Sequence, residues 1–178
     1  MKKLIIILCA FSLMAAFCCA TPKSECPVYV PNQNCKLVSF KAGSEPEGYN
    51  GIKWETKLST LEGMKHYRKD LSHGGIEFYV RESDTFKLEN GKHQIVQYGF
   101  WREKFYVVVV STKGPEEWIA LKDAVFKKFG EGSKPFLNQE EYLWLGKNAV
   151  MALRYDDNSK LGTYYIRSEL VGKQMAGN

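Results

Sequence analysis

The sequence predicts an α+β fold: two helix-plus-antiparallel-meander halves sharing one sheet, with the helices packed on one face. Three observations predict it. Segments with alternating or continuous apolar character recur from residue 76 to residue 168. A segment with helical spacing precedes each of two groups of such strands. Neither half has enough apolar residues for a core of its own, so one shared sheet is the economical arrangement.

In the first half, Gly51-Ile52-Lys53-Trp54 reads as a short strand. Ser59-Thr60-Leu61-Glu62 then has the S-x-x-E pattern of a capping box, and Gly63 predicts a stop after one or two turns. Trp54, Leu58, Leu61 and Met64 recur at spacings of three and four, which places them on one buried face. From residue 66 the period changes to two, and Ile76, Phe78 and Val80 alternate with Glu77, Tyr79 and Arg81. Asn90-Gly91 marks a turn. Ile95 to Trp101 and Phe105 to Thr112 are predicted strands, joined as a hairpin by Arg102-Glu103-Lys104. The unbroken run Val107 to Val110 predicts a central strand covered on both faces or nearly so.

Gly114-Pro115-Glu116-Glu117 opens the second half. Proline preorganises the first helical position, and two glutamates suit the positive end of the helix dipole. Trp118, Leu121, Val125 and Phe129 form an apolar stripe that Ile119 and Phe126 widen. Lys127-Lys128 and Gly130 close the helix. Its stripe is expected to bury against strand residues such as Val107 and Val109. Tyr142 to Leu145 and Ala149 to Tyr155 predict a hairpin about Gly146-Lys147-Asn148. Asp156 to Lys160 reads as a polar turn and Thr163 to Ser168 as the last strand. The halves are thus 51–112 and 113–170 of one domain over 51–170, and 171–178 is expected to be a frayed tail.

The N-terminus supplies an address. Lys2 and Lys3 precede an apolar run from Leu4 to Phe17, and Cys18-Cys19-Ala20 offers small residues for a signal peptidase. Residues 1–20 therefore read as a signal peptide, too short and wrongly flanked for a stable membrane span. Its loss takes two of the 25 Lys+Arg, leaving 23 against 20 Asp+Glu. Lys and Glu are interspersed, as in Lys113 to Glu117, and form no basic stripe of the kind that nucleic acid selects. The expected location is exported, most simply periplasmic in a Gram-negative cell, with no nucleic-acid partner.

Of the five cysteines, Cys26 and Cys35 remain after such cleavage. An even pair in an exported chain predicts a disulfide tying down the polar, proline-rich lead-in 21–50. A loop this short contributes about 2.5–3 kcal/mol at best. Membrane contact is expected only if Cys18 or Cys19 carries a lipid. Phe17 before Cys18, and Phe17-Cys18 before Cys19, fit that signal poorly.

No catalytic, cofactor-binding or metal-binding residue is assigned. His66, His73 and His93 make no i, i+4 helical pair. Asp70, Ser72 and His73 have nucleophile-site chemistry, but lie beside Gly74-Gly75 without a G-x-S-x-G elbow. Glu140-Glu141 and Asp156-Asp157-Asn158 lack the calcium-loop pattern and read as solvated turns. The aromatics are more informative. Phe100-Trp101, Phe105-Tyr106 and Tyr164-Tyr165 each place one ring on either face of a sheet. Phe100, Trp101, Phe105 and Tyr106, gathered on one hairpin, are the candidate partner surface, half of them facing away from the helices.

Gly51-Ile52-Lys53-Trp54 with Leu58, Ser59, Leu61 and Met64, Tyr98-Gly99-Phe100 with Lys104-Phe105-Tyr106, and Leu121 to Gly130 resemble a family of small uncharacterised exported bacterial proteins. The likeness spans roughly residues 50–168 and implies no catalytic residue. In topology alone, the helix-then-meander repeat is similar to the β-lactamase inhibitor protein and to the small lipoprotein of the outer-membrane barrel assembly machinery, both of which bind other proteins. The expected role is a non-enzymatic protein-binding or scaffolding module whose partner is another envelope protein. The alternative class is an envelope hydrolase assembled from dispersed residues such as Asp70, His73 and Glu77.

Overall fold

A computed structural model describes residues 32–34, 36–71 and 75–177. The signal peptide, the Cys26–Cys35 pair, Ser72 and His73 lie outside the described residues.

The fold is α+β. A seven-stranded antiparallel sheet comprises β3 (Lys65–Asp70), β4 (Ile76–Lys87), β5 (His93–Trp101), β6 (Lys104–Lys113), β7 (Glu141–Leu145), β8 (Ala149–Asp156) and β9 (Leu161–Ser168). Their order is β3-β4-β5-β6-β9-β8-β7. Each half is a meander of sequential neighbours, and the single pairing of β6 with β9 joins them. A separate two-stranded ribbon, β1 (Gly48–Tyr49) with β2 (Ile52–Lys53), turns at Asn50-Gly51. Both turn residues have positive φ, as a two-residue hairpin of this hand requires.

The helix α1 (Pro115–Phe129) starts and stops where its sequence dictates, with proline in the first turn and Gly130 at φ 82° after its end. It packs against β6 and β9. Trp118, Leu121, Val125 and Phe129 are buried in the main core with Val108, Val110, Tyr164 and Ile166. The expected contacts with Val107 and Val109 are corrected: those two side chains belong to the opposite face. Register shows why. Gly99 pairs with Val107 while Phe100 pairs with Phe105, so Tyr106 is an extra residue in a β-bulge. The bulge resets which valines face α1. Ile119, expected to widen the buried stripe, is 52% exposed.

The capping box at Ser59 does not form. Leu58–Thr60 is a single 3-10 turn with Lys57 before it, no side-chain cap and extended backbone resuming at Leu61. Trp54, Leu58, Leu61 and Met64 nonetheless pack together on the main core, on the same face as α1. The lead-in is more ordered than its composition predicts. Phe40 is buried. The Val38 N–H donates to Ser133 Oγ (2.6 Å) and its carbonyl accepts from the Leu145 N–H (3.0 Å). Ser133 also pairs with Leu143, so the outer edge of β7 is covered.

The largest correction concerns the C-terminus. Residues 171–176, expected to fray, belong to α2 (Glu169–Ala176), capped by Ser168, whose Oγ accepts from the Val171 N–H at 3.2 Å. Val171 is buried with Ile76, Phe78, Trp101, Tyr106 and Val107. These residues alternate with those facing α1, so α2 lies on the second face of the sheet. Among the described residues no helix is long and apolar enough to cross a membrane.

Candidate functional site

A seven-stranded antiparallel sheet has two faces, and here they are covered very unequally. One face is closed by α1, by the β1–β2 ribbon and by Leu58, Leu61 and Met64. Among the described residues, the two turns of α2 are the element that packs on the other. Pairing across the strands lists what that second face displays. One row runs Arg68, Phe78, Gly99, Val107, Arg167, Val150, Leu145 from β3 to β7. The next runs Val80, Gln97, Val109, Tyr165, Ala152, Leu143 from β4 to β7. Side chains in these rows share one face because the strand period is two.

The face divides into two parts. Over β3 to β6 and β9, α2 and the sheet enclose a hollow of about 550 Å³ whose lining includes Arg68, Phe78, Tyr106, Tyr165, Arg167 and Met175. Over β7, β8 and the adjoining part of β9 the face is less covered, although α2 also contacts β8. Leu143, Val150, Ala152 and Tyr165 are half-buried there, and Leu145 is 40% exposed. These apolar side chains stand together on a rigid surface, the composition of a protein-contact patch.

The aromatic hairpin does not supply that patch. Its rings divide between faces as the alternation predicts, Phe100 and Phe105 in the main core, Trp101 and Tyr106 on the second face. But Trp101 is 5% and Tyr106 6% exposed. All four candidate residues are therefore interior, a correction with a simple cause: α2 covers the half that faces away from α1. The apolar patch on β7 and β8 is what sequence reasoning missed. Its signal was present in the alternation of Leu143 and Leu145 with the buried Tyr142 and Trp144, but residues 142–155 read there only as a hairpin.

The polar candidates separate. Glu77 pairs across the strands with Lys69 and, through Oε2, with His66 (3.0 Å), on the face opposite to Ile76. Those bonds hold its carboxyl below the usual range. Asp70 is opposite Ile76 in the register and lines the hollow on the second face. Asp70 and Glu77 thus face opposite sides of the sheet and share no site, and His73 lies outside the described residues. His93 Nδ1 meets Thr85 Oγ1 at 2.7 Å on the surface. Asp156 accepts from the Asn158 and Ser159 amides (2.9 Å each), an Asx-type turn that lowers its pKa. Glu140 takes bonds from Lys134 (2.8 Å), Tyr142 (3.0 Å) and Lys122 (3.2 Å).

One buried polar cluster sits under the β1–β2 ribbon. Tyr98 Oη donates to Asp84 Oδ2 at 2.6 Å and accepts from Asn50 Nδ2 at 3.1 Å. Burial, then the Asp84 carboxylate, raises the Tyr98 phenol far above its ordinary value. The cluster pins the ribbon to β4 and β5, a structural task. No protein-family model, curated protein or solved structure matches the chain.

Proposed function

We propose that this chain is an exported bacterial envelope protein that acts as a non-enzymatic protein-binding or scaffolding module. The observation that carries the reading is the less covered apolar half of the second sheet face, Leu143, Leu145, Val150 and Ala152 beside Tyr165. A face is favoured over an edge. The β7 edge is occupied by Val38 and Ser133, and the β3 edge presents Lys65, His66, Arg68 and Lys69, the charge device that discourages strand addition. The N-terminal signal pattern supports export, with a soluble periplasmic protein as the primary form and a lipid on Cys18 or Cys19 as the alternative. A Cys26–Cys35 disulfide belongs to the same reading.

The decisive experiment places a photo-crosslinking residue at Ala152 and, as a control, at Ile119 on the exposed side of α1, in living cells. A discrete adduct from Ala152 alone supports the reading. Val150→Glu should then weaken the captured complex by more than about 1 kcal/mol while leaving Tm nearly unchanged. Equal labelling from both positions, or from neither, removes the face as the partner surface. Intact mass of the protein isolated from its envelope settles the address: an N-terminus at Thr21 without free thiols is expected, and an acylated Cys18 or Cys19 would replace release with anchoring.

A further inference from the structure

The hollow between α2 and the sheet is built differently from the open patch beside it. Its floor is apolar: Phe78 on β4 and Val107 on β6 are sealed beneath it, and Val109 on β6 is half-buried. Its walls include Met175 and Ala176 of α2. Five polar side chains line it: Arg68, Asp70, Tyr106, Tyr165 and Arg167. An apolar cavity of this size with a few directed polar groups is the usual form of a small-molecule site.

Charge indicates the ligand. The lining holds two guanidiniums against one carboxylate, Asp70. Arg167 is already committed, with Nη1 3.6 Å from Glu169 and its guanidinium packed on Gly172. Arg68 differs. Its guanidinium lies 3.8 Å from the centre of the Phe78 ring, and Nε donates to Gln97 Oε1 at 3.1 Å. Those two contacts hold the guanidinium over the Phe78 ring, and among the described residues no ion pair consumes it. A planar guanidinium held this way presents its remaining N–H groups as a fork for a carboxylate. Burial and the neighbouring Tyr106 raise the Tyr165 phenol well above its ordinary value, so it stays a neutral donor.

We propose that this hollow binds a free amphipathic monocarboxylate, its carboxylate on Arg68 and its hydrocarbon body along Val109 and Tyr165 toward Met175. The ligand would enter along the sheet from the β3 edge, where Arg68 stands. The site adjoins the proposed partner face and shares Tyr165 with it, while Arg68 and Ala152 each belong to one site alone.

Calorimetric titration of the purified protein with decanoate below its micellar range tests this. One-to-one binding is expected, with decanol and decyltrimethylammonium at least tenfold weaker and acetate not competing. Arg68→Gln should weaken decanoate at least tenfold with Tm unchanged, and Arg68→Lys should recover part of the loss. Val109→Glu, which puts a carboxylate on the floor, should abolish binding, with circular dichroism confirming that the sheet persists. Decanoate binding no tighter than decanol, or equally tight in Arg68→Gln, would overturn the assignment, as would no heat of binding. Crosslinking from Ala152 should survive Arg68→Gln, so failure of either proposal is read separately.

Discussion

At the residue scale, several positions are held by geometry that local sequence disfavours. The β5–β6 hairpin turns on Arg102 and Glu103, both with positive φ (48° and 63°), where asparagine and glycine are the comfortable residues. The turn is imposed from outside: the Glu103 carbonyl accepts from Leu58 (2.8 Å) and Phe105 exchanges bonds with Glu55 and Thr56. Glu103→Gly should therefore stabilise the protein, by up to about 1 kcal/mol in chemical denaturation, strain relief exceeding the entropy lost by glycine. Gly99 is the reverse case. A Cβ there would lie 2.4 Å from Val107 Cγ1 and 2.9 Å from Phe78 Cε1. Gly99→Ala should cost about 1–3 kcal/mol through overpacking. Glu140 gives a pH test. Burial alone would raise its carboxyl, but bonds from Lys134, Tyr142 and Lys122 outweigh burial and lower it. Its contribution is thus present above the ordinary carboxylate pKa and lost as pH falls through the depressed one. Glu140→Gln should destabilise by under about 1 kcal/mol at pH 7, a difference that closes below about pH 4.

At the element scale, α2 determines whether the second face is interior or surface. It is two turns long, buries Val171 completely and is anchored at its start by Ser168. A helix this short has no stability apart from its packing. Val171→Asp should release it, and amide hydrogen exchange should then rise across 169–176 while α1 stays protected. Trp101 and Tyr106 would lose their cover, so tryptophan emission should shift to the red, and Trp101→Phe should remove that shift. Trp101→Ala in the otherwise intact chain should cost about 3–5 kcal/mol, the behaviour of a core residue and not of an exposed hot spot.

At the scale of the whole molecule, the halves depend on one seam. The β6–β9 pairing runs from Val107↔Arg167 to Lys113↔Leu161, and α1 lies across those same two strands. Val108, Val110, Tyr164 and Ile166 are fully buried along it. Each half alone would expose that surface. Fragments divided at Gly114 should each lack cooperative unfolding by circular dichroism and regain it when mixed. Two independent transitions in the intact chain would show that the halves are separate domains.

Most strands and α1 were legible because their signals are local: alternation in Ile76 to Arg81, proline and two glutamates before Trp118, glycine after Phe129. The shared antiparallel sheet followed from the shortage of apolar residues in either half. Three things were decided only by tertiary structure. The run Val107 to Val110 has no alternation, so the bulge at Tyr106, set by pairing with Gly99 and Phe100, decides which valines meet α1. The S-x-x-E at Ser59 is overridden because residues 55–58 spend their backbone bonds on the β5–β6 hairpin, leaving one 3-10 turn. Residues 171–178 look too polar and glycine-containing to hold structure by themselves. Val171 becomes a core residue only once strands distant in sequence have assembled Ile76, Phe78, Trp101 and Val107 beneath it. The sequence by itself determined which segments are strands and which is the long helix, because those preferences are written within a turn or a few residues. Tertiary structure decided which face of the sheet is closed, since burial of a face depends on what the rest of the chain can bring to it.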